Sequence, residues 1–197
     1  MPYIKNRPLS LVRCPNPGIN KYFYQKNWIA GLPKGISKVK VKTSKGASDY
    51  VMINNRVGLI AAAQMDVLEL HPWASRKDKL NYPDQIIFDL DPGPEITWKE
   101  LVSAAFLIRK LLTALKLKSF VKLTGGKGLH LVIPIARRRN FSEIKNFSKK
   151  LADQLAAQFP KQFTSHLKKA KRKNKIFVDY LRNGYGATAI APFSSPF

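Results

Sequence analysis

Acidic residues are scarce: 12 Asp and Glu stand against 35 Lys and Arg in a chain of 197 residues, leaving a formal charge of +23. A surplus so far beyond what solubility requires is the electrostatic footprint of a polyanionic partner, nucleic acid foremost. Cysteine is nearly absent. The lone Cys14 cannot close an internal disulfide, and the opening MPYIKNRPLS carries neither an apolar stretch nor a cleavage signal, so the sequence predicts a reducing, cytoplasmic setting, associated with the nucleoid if DNA is the partner. No run approaches the ~20 apolar residues of a spanning helix, and the amphipathic segments have faces a globular core would use, so no membrane partner is expected. Repeats and long linkers are also missing, which predicts one domain over residues 1–197. What is there, 45% hydrophobic and 11% aromatic residues, suffices for a substantial core.

The first half reads as short strands between turn residues: Tyr22–Gln25, the alternating Lys38-Val39-Lys40-Val41-Lys42, and Tyr50–Ile53. A short helix follows over Arg56–Met65, then strands over Val67–Leu70 and Gln85–Leu90 on either side of a loop holding His71-Pro72-Trp73. Thr97 with Glu100 is a capping-box signature opening a helix that runs to about Leu117. Strands over Phe120–Leu123 and Leu129–Ile135 flank a glycine-rich loop; a second helix spans about Ser142–Phe159. Strands over Ile176–Tyr180 and Ala187–Ala191 close the chain, preceded by the basic run Lys168–Lys175, which is too charged for a core and reads as a solvated loop. The architecture is α+β, a mixed or antiparallel sheet packed by helices.

Two segments could carry chemistry. In Phe88-Asp89-Leu90-Asp91-Pro92-Gly93-Pro94 the carboxylates stand two apart on an extended chain, so they emerge on one side and can share cations. Mg²⁺ and Mn²⁺ take such oxygen ligands and leave positions for water and phosphate. Asp also caps turns at strand ends, so the pair alone leaves both readings open. A third carboxylate, Asp179 in Ile176-Phe177-Val178-Asp179-Tyr180, is costly inside an apolar strand unless neutralised, and three of them in so basic a chain favour metal ligation. The second segment, Leu123-Thr124-Gly125-Gly126-Lys127-Gly128-Leu129-His130, offers amides, a hydroxyl, a cation and an imidazole to phosphate. It is no Walker A loop, since no Ser or Thr follows Lys127 and a strand comes next; taken alone it also suits a tight hairpin turn.

These residues resemble the primase-like polymerase domain of bacterial DNA ligase D, in the archaeo-eukaryotic primase superfamily. The likeness rests on Arg7-Pro8-Leu9-Ser10-Leu11-Val12-Arg13-Cys14-Pro15, Phe23-Tyr24-Gln25-Lys26, Leu70-His71-Pro72-Trp73, Phe88–Pro94, Thr124–His130, and Asp179-Tyr180-Leu181-Arg182-Asn183 through Ala191-Pro192-Phe193-Ser194, in that order. The resemblance implies two divalent ions, Mn²⁺ or Mg²⁺, on Asp89, Asp91 and Asp179, and a nucleoside triphosphate contacted by Thr124, Gly125, Lys127 and His130, Thr124 standing where the family usually has Ser. It further places His71 near the nucleotide sugar and the Phe23-Tyr24 pair against a base or template.

The implied activity is metal-dependent transfer of nucleotides onto DNA ends or primer-templates in end-joining repair, with His130 serving the leaving pyrophosphate. A Ku-type protein and a separate ligase become plausible partners. Arg137, Arg138 and Arg139 and the run Lys168, Lys169, Lys171, Arg172 and Lys173 are candidates for gripping DNA phosphates without sequence preference. Two departures stand out: the family begins with a further amino-terminal stretch that holds a recessed 5′-phosphate, and Pro196 occupies the position of an Arg that grips the triphosphate, which implies weaker nucleotide affinity. The rival readings are a metal-dependent nuclease or phosphoesterase and a non-catalytic DNA-end-binding module.

Overall fold

The computed structural model describes residues 1–16, 21–44, 46–168 and 172–194; Lys169, Lys171 and Pro196 lie outside them. The chain is α+β, as the sequence indicates, and divides into two compact units, Met1–Tyr82 with the segment from Thr188, and Pro83–Ala187.

The first unit is built on one antiparallel sheet of β1 (Leu9–Asn16), β2 (Lys21–Gln25), β3 (Ile36–Thr43), β4 (Gly46–Ile53) and β5 (Val67–Pro72), with helix α1 (Arg56–Gln64) between β4 and β5. β1 is the strand the sequence pattern hides. Pro8 and Pro15 suggest a non-strand segment, yet Leu9, Leu11 and Val12 are buried, β2, β4 and β5 all pair with this strand, and its register shifts between Arg13 and Asn16. Asn55 caps α1 by accepting from the Gly58 amide. His71 and Pro72 belong to β5 itself, not to a loop, opposite Ser10 and Leu9. The expected strand over Ala187–Ala191 is reduced to a single bridge, Thr188 to Trp73, with the amides of Ala189 and Ala191 donating to the carbonyls of Pro72 and Leu70. Pro72 has no N–H to return, so a full ladder cannot form there.

The second unit holds β6 (Gln85–Pro92), α2 (Trp98–Ala114), β7 (Phe120–Leu123), β8 (Leu129–Pro134), α3 (Phe141–Gln158), β9 (Phe163–Thr164) and β10 (Ile176–Asp179), ending in a 3-10 turn at Leu181–Asn183. Strand order is β7-β8-β6-β10-β9, antiparallel except for β9 beside β10, so this sheet is mixed. The central β6 is buried from Ile86 to Leu90, and Leu101, Ile108 and Leu112 of α2 and Ile144, Leu151 and Leu155 of α3 share its core. Each such side chain contributes about 2–3 kcal/mol by leaving water. Both helices open on complete capping boxes, Thr97 with Glu100 and Asn140 with Glu143. β7 has a neighbour on one side only among the described residues, and its Phe120, Val121 and Leu123 are 60%, 59% and 68% exposed.

Candidate active site

Strand pairing gathers the acidic residues. β6 and β10 run antiparallel with Asp89 opposite Asp179, and Asp91, two residues along, lies on the same side as Asp89. One carboxylate oxygen from each of Asp89, Asp91 and Asp179 falls within 4.8 Å of the others. On its other flank Asp89 faces His130 of β8, whose Nε2 is 3.4 Å from Asp89 Oδ2; both side chains are buried. Arg182, in the turn after β10, brings Nε to 3.2 Å from Asp89 Oδ2 and 3.9 Å from Asp179 Oδ2. That turn is locked from below. The fully buried Asn183 accepts from the Ile87 amide at 2.8 Å and donates to the carbonyls of Ile87 and Tyr180, while the Leu181 amide donates to Asp179 Oδ1 at 2.7 Å.

The electrostatics divide the three acids. Burial pushes the Asp89 carboxyl up, but the hydrogen bond and charge of His130 and the Arg182 guanidinium outweigh it and hold Asp89 below its ordinary value. Asp91 is pushed up to about 6, by burial first and then by the charges of Asp89 and Asp179. Asp179 is raised by burial, against the Leu181 amide and the nearby arginines. Carboxylates that repel one another in a half-buried site call for a cation, and oxygen ligands spaced this closely suit a divalent ion bound at about 2.0–2.6 Å. The donor set fits Mg²⁺ or Mn²⁺.

The glycine loop is pressed onto this cluster. A Cβ on Gly128 would stand 2.5 Å from the Leu90 carbonyl oxygen and 3.5 Å from Asp91 Oδ1, so only glycine lets the loop's end approach the strand between the two acids. Thr124 Oγ1 donates to the Gly128 carbonyl at 3.2 Å, Gly125 takes φ +85°, and Gly125, Gly126 and Lys127 are exposed. Lys122, paired with His130 across β7 and β8, was not singled out by the sequence pattern; burial lowers its ammonium to about 8 despite the attraction of Asp89.

The basic candidates separate. Arg172 is no free solvated side chain: its guanidinium lies 3.7 Å from the Phe177 ring centroid, donates to the His166 and Leu167 carbonyls, and comes to 4.0 Å from Asp91 Oδ2. Lys168 and Lys173 are exposed. Arg138 is exposed, and Arg139 pairs with Glu143 at 3.0 Å in the first turn of α3.

In the first unit, Phe23 and Tyr24 on β2 are 45% and 60% exposed, which sets aside ordinary core packing for either ring. The Arg13 guanidinium sits 5.2 Å from the Phe23 centroid, and Tyr24 meets the His71 ring edge-on at 6.1 Å. His71 Nε2 is 2.6 Å from Glu69 Oε2, a nearly buried partner that sequence reading passed over. The available signals were modest: a lone carboxylate in Val67-Leu68-Glu69-Leu70, a lone cation in Phe120-Val121-Lys122-Leu123, and an Arg three residues after Asp179.

The mixed sheet that unites three carboxylates beside a glycine loop has the fold of a primase-like polymerase domain. More closely, the chain belongs to the family described as LigD, primase-polymerase domain, whose model matches residues 1–195. It is 36% identical over 191 residues to the multifunctional non-homologous end joining protein LigD of Pseudomonas aeruginosa, covering 97% of this chain and 23% of that one. The bifunctional LigD of Bacillus subtilis is 28% identical, with 99% of this chain and 31% of the relative covered. The chain therefore spans about a quarter to a third of these relatives. The solved polymerase domain of Mycobacterium tuberculosis ligase D in complex with DNA superposes with a TM-score of 0.91 at 30% identity, covering 98% of this chain and 70% of that one. Among the described residues no helix is long and apolar enough to cross a membrane.

Proposed function

We propose that this protein is a metal-dependent nucleotidyltransferase that adds nucleotides to DNA ends or primer-templates during end joining. The convergence of Asp89, Asp91 and Asp179 to within 4.8 Å carries the reading. Two Mg²⁺ or Mn²⁺ ions held by these carboxylates would lower the pKa of the primer hydroxyl and neutralise the charge on the attacking and leaving oxygens of an in-line displacement. The chain's own residues do the rest. Arg182 hydrogen-bonds Asp89 and so fixes the carboxylate between the two others. The amides of Thr124–Gly128 and Lys127 offer donors and charge to the pyrophosphate, and His130, whose Nε2 faces Asp89, keeps a buried Nδ1 with no protein hydrogen-bond partner that can serve the leaving group. Phe23 and Tyr24 are offered as stacking surfaces for a base. Lys168, Lys173 and Arg138 face solvent and suit phosphate contacts; a nucleoid association, and work beside a Ku-type protein and a ligase, belong to the same reading.

The deciding experiment incubates the purified protein with labelled primer-template, Mn²⁺ and each nucleotide type. Extension by the native protein is expected, with Asp89→Ala, Asp91→Ala and Asp179→Ala each losing it while retaining DNA affinity, because affinity rests on Lys and Arg. Shortened primers would establish a nuclease instead, and an unaltered primer held in a gel shift would establish an end-binding module.

A further inference from the structure

The second unit carries an apolar groove that the mechanism above leaves unused. It runs between α2 and the outer edge of β7, with Trp98, Val102 and Phe106 on the helix side and Val121 and Leu123 on the strand side, all within that unit. Val121 and Leu123 stand two apart and so share one side of β7. Lys122 between them points to the other side, in the row that His130 and Asp89 continue, so the groove lies on the face of the sheet away from the acid cluster. Trp98 and Phe106 are 53% and 62% exposed, and an apolar surface this continuous marks a place where something docks. At about 250 Å³ the groove falls short of the ~300–1,000 Å³ of small-molecule sites. What it adjoins instead is a backbone edge with no strand on its outer side among the described residues. Ser119, just before β7, lines the same groove with an Oγ that is buried and has no hydrogen-bond partner among them.

The walls set the charge of what fits. Arg109 lies in the groove, and Lys99, Lys110 and Lys118 are exposed on α2 and on the link to β7. The one acid of α2, Glu100, is taken up by Thr97 in the capping box, and residues 115–123 contain none. A second copy of this chain would set these cations against their like. A polynucleotide would answer the charge, but it has no alternating amides and carbonyls to continue a ladder, and its phosphates gain nothing from an apolar floor. We propose that the outer edge of β7 and the groove beside α2 form a docking site for an acidic protein segment. The segment adds to the sheet as a further strand, with alternate apolar side chains against Trp98, Phe106, Val121 and Leu123 and its carboxylates toward Arg109 and the lysines of the rim. This inference does not depend on the transferase reading, since no residue of the metal cluster takes part.

The test titrates the full chain against a fluorescein-labelled synthetic peptide of about eight residues alternating Glu and Val, by fluorescence anisotropy in low-salt buffer. Saturable binding is expected, with Arg109→Glu and Val121→Glu each weakening it about tenfold or more. A peptide with Ser in place of Val keeps the charge, one with Lys in place of Glu keeps the apolar face, and each should lose at least as much. Methylating the Glu amides in one version of the peptide and the Val amides in another should abolish binding in one of the two, because only one set can donate to β7. Equal affinity for the Ser peptide, or tolerance of both methylated versions, overturns strand addition. If Val121→Glu does not fold, Arg109→Glu, at an exposed helix position, still decides, and a native Kd there is fatal. Two other results also overturn the proposal: a single-stranded oligo-dT whose affinity falls with both variants as far as the peptide's would make this a nucleic-acid face, and a native dimer in sedimentation that Val121→Glu separates would make a second copy the occupant.

Discussion

The acids of the triad differ in what they do to the metal-free fold, and Asp91 carries the clearest consequence. With its carboxyl pushed up to about 6 by burial and by Asp89 and Asp179, it keeps a proton in the folded protein between its ordinary 3.8 and about 6, where the unfolded chain has released it. The folded state binds more protons over that window, so metal-free stability should fall as pH rises through it. Asp89 runs the other way, its lowered carboxyl stabilising the fold above the usual carboxylate range. Metal binding must displace the Asp91 proton, so Mn²⁺ affinity at pH 5 should be about tenfold weaker than at pH 7, measured by calorimetric titration. Asp91→Asn removes the repulsion, and is expected to raise the metal-free melting temperature at pH 7 while abolishing both extension and the thermal response to Mn²⁺. At this scale the Asp89-Asp91 pair was legible because a two-residue period on a strand fixes a common side. Arg182, Lys122 and Glu69 were only faintly marked: each matters through a neighbour supplied by pairing or by a turn, which a lone charge in the sequence does not identify.

Among the elements, the turn after β10 is the piece whose integrity the site most needs. Asn183→Ala would strip partners from the buried Ile87 amide and carbonyl and from the Tyr180 carbonyl, and should cost about 3 kcal/mol in urea denaturation, together with a loss of extension as Arg182 and Asp179 loosen. Gly128→Ala drives a methyl into the Leu90 carbonyl and should destabilise by about 1–3 kcal/mol, with a rise in nucleotide KM as the loop backs away from Asp91. Elements with a strong period were legible: the Thr97–Glu100 box opens α2 as read, and β6, β7 and β8 lie where the apolar runs put them. β1 was lost behind Pro8 and Pro15, although its pairing with three strands makes it the hub of its sheet. β9, two residues long, exists only because β10 passes beside it, and Ala187–Ala191 reads as a strand yet meets a proline that cannot complete the ladder.

For the whole molecule, the charge of +23 predicts DNA affinity that falls steeply with salt and does not depend on sequence. Replacing the exposed Lys168 and Lys173 by Ala should lower the slope of log affinity against log salt by up to about two, read from filter binding at several salt concentrations; an unchanged slope would relegate them to a solvated loop. The same charge has a second office. Among the described residues Phe120, Val121 and Leu123 lie bare along the edge strand β7, where the chain's overall repulsion opposes the joining of two copies. The protein is in effect a charge-stabilised colloid: at 0.15 M salt the Debye length has already shrunk to about 8 Å, and neutralisation by a polyanion removes the repulsion altogether. It should therefore be most dispersed in dilute buffer and cloud as salt is added, in light scattering, with Leu123→Glu restoring clarity and leaving the binding of Mn²⁺ untouched. A surface fitted to meet one polyelectrolyte would then depend on that polyelectrolyte's being scarce for its own solubility.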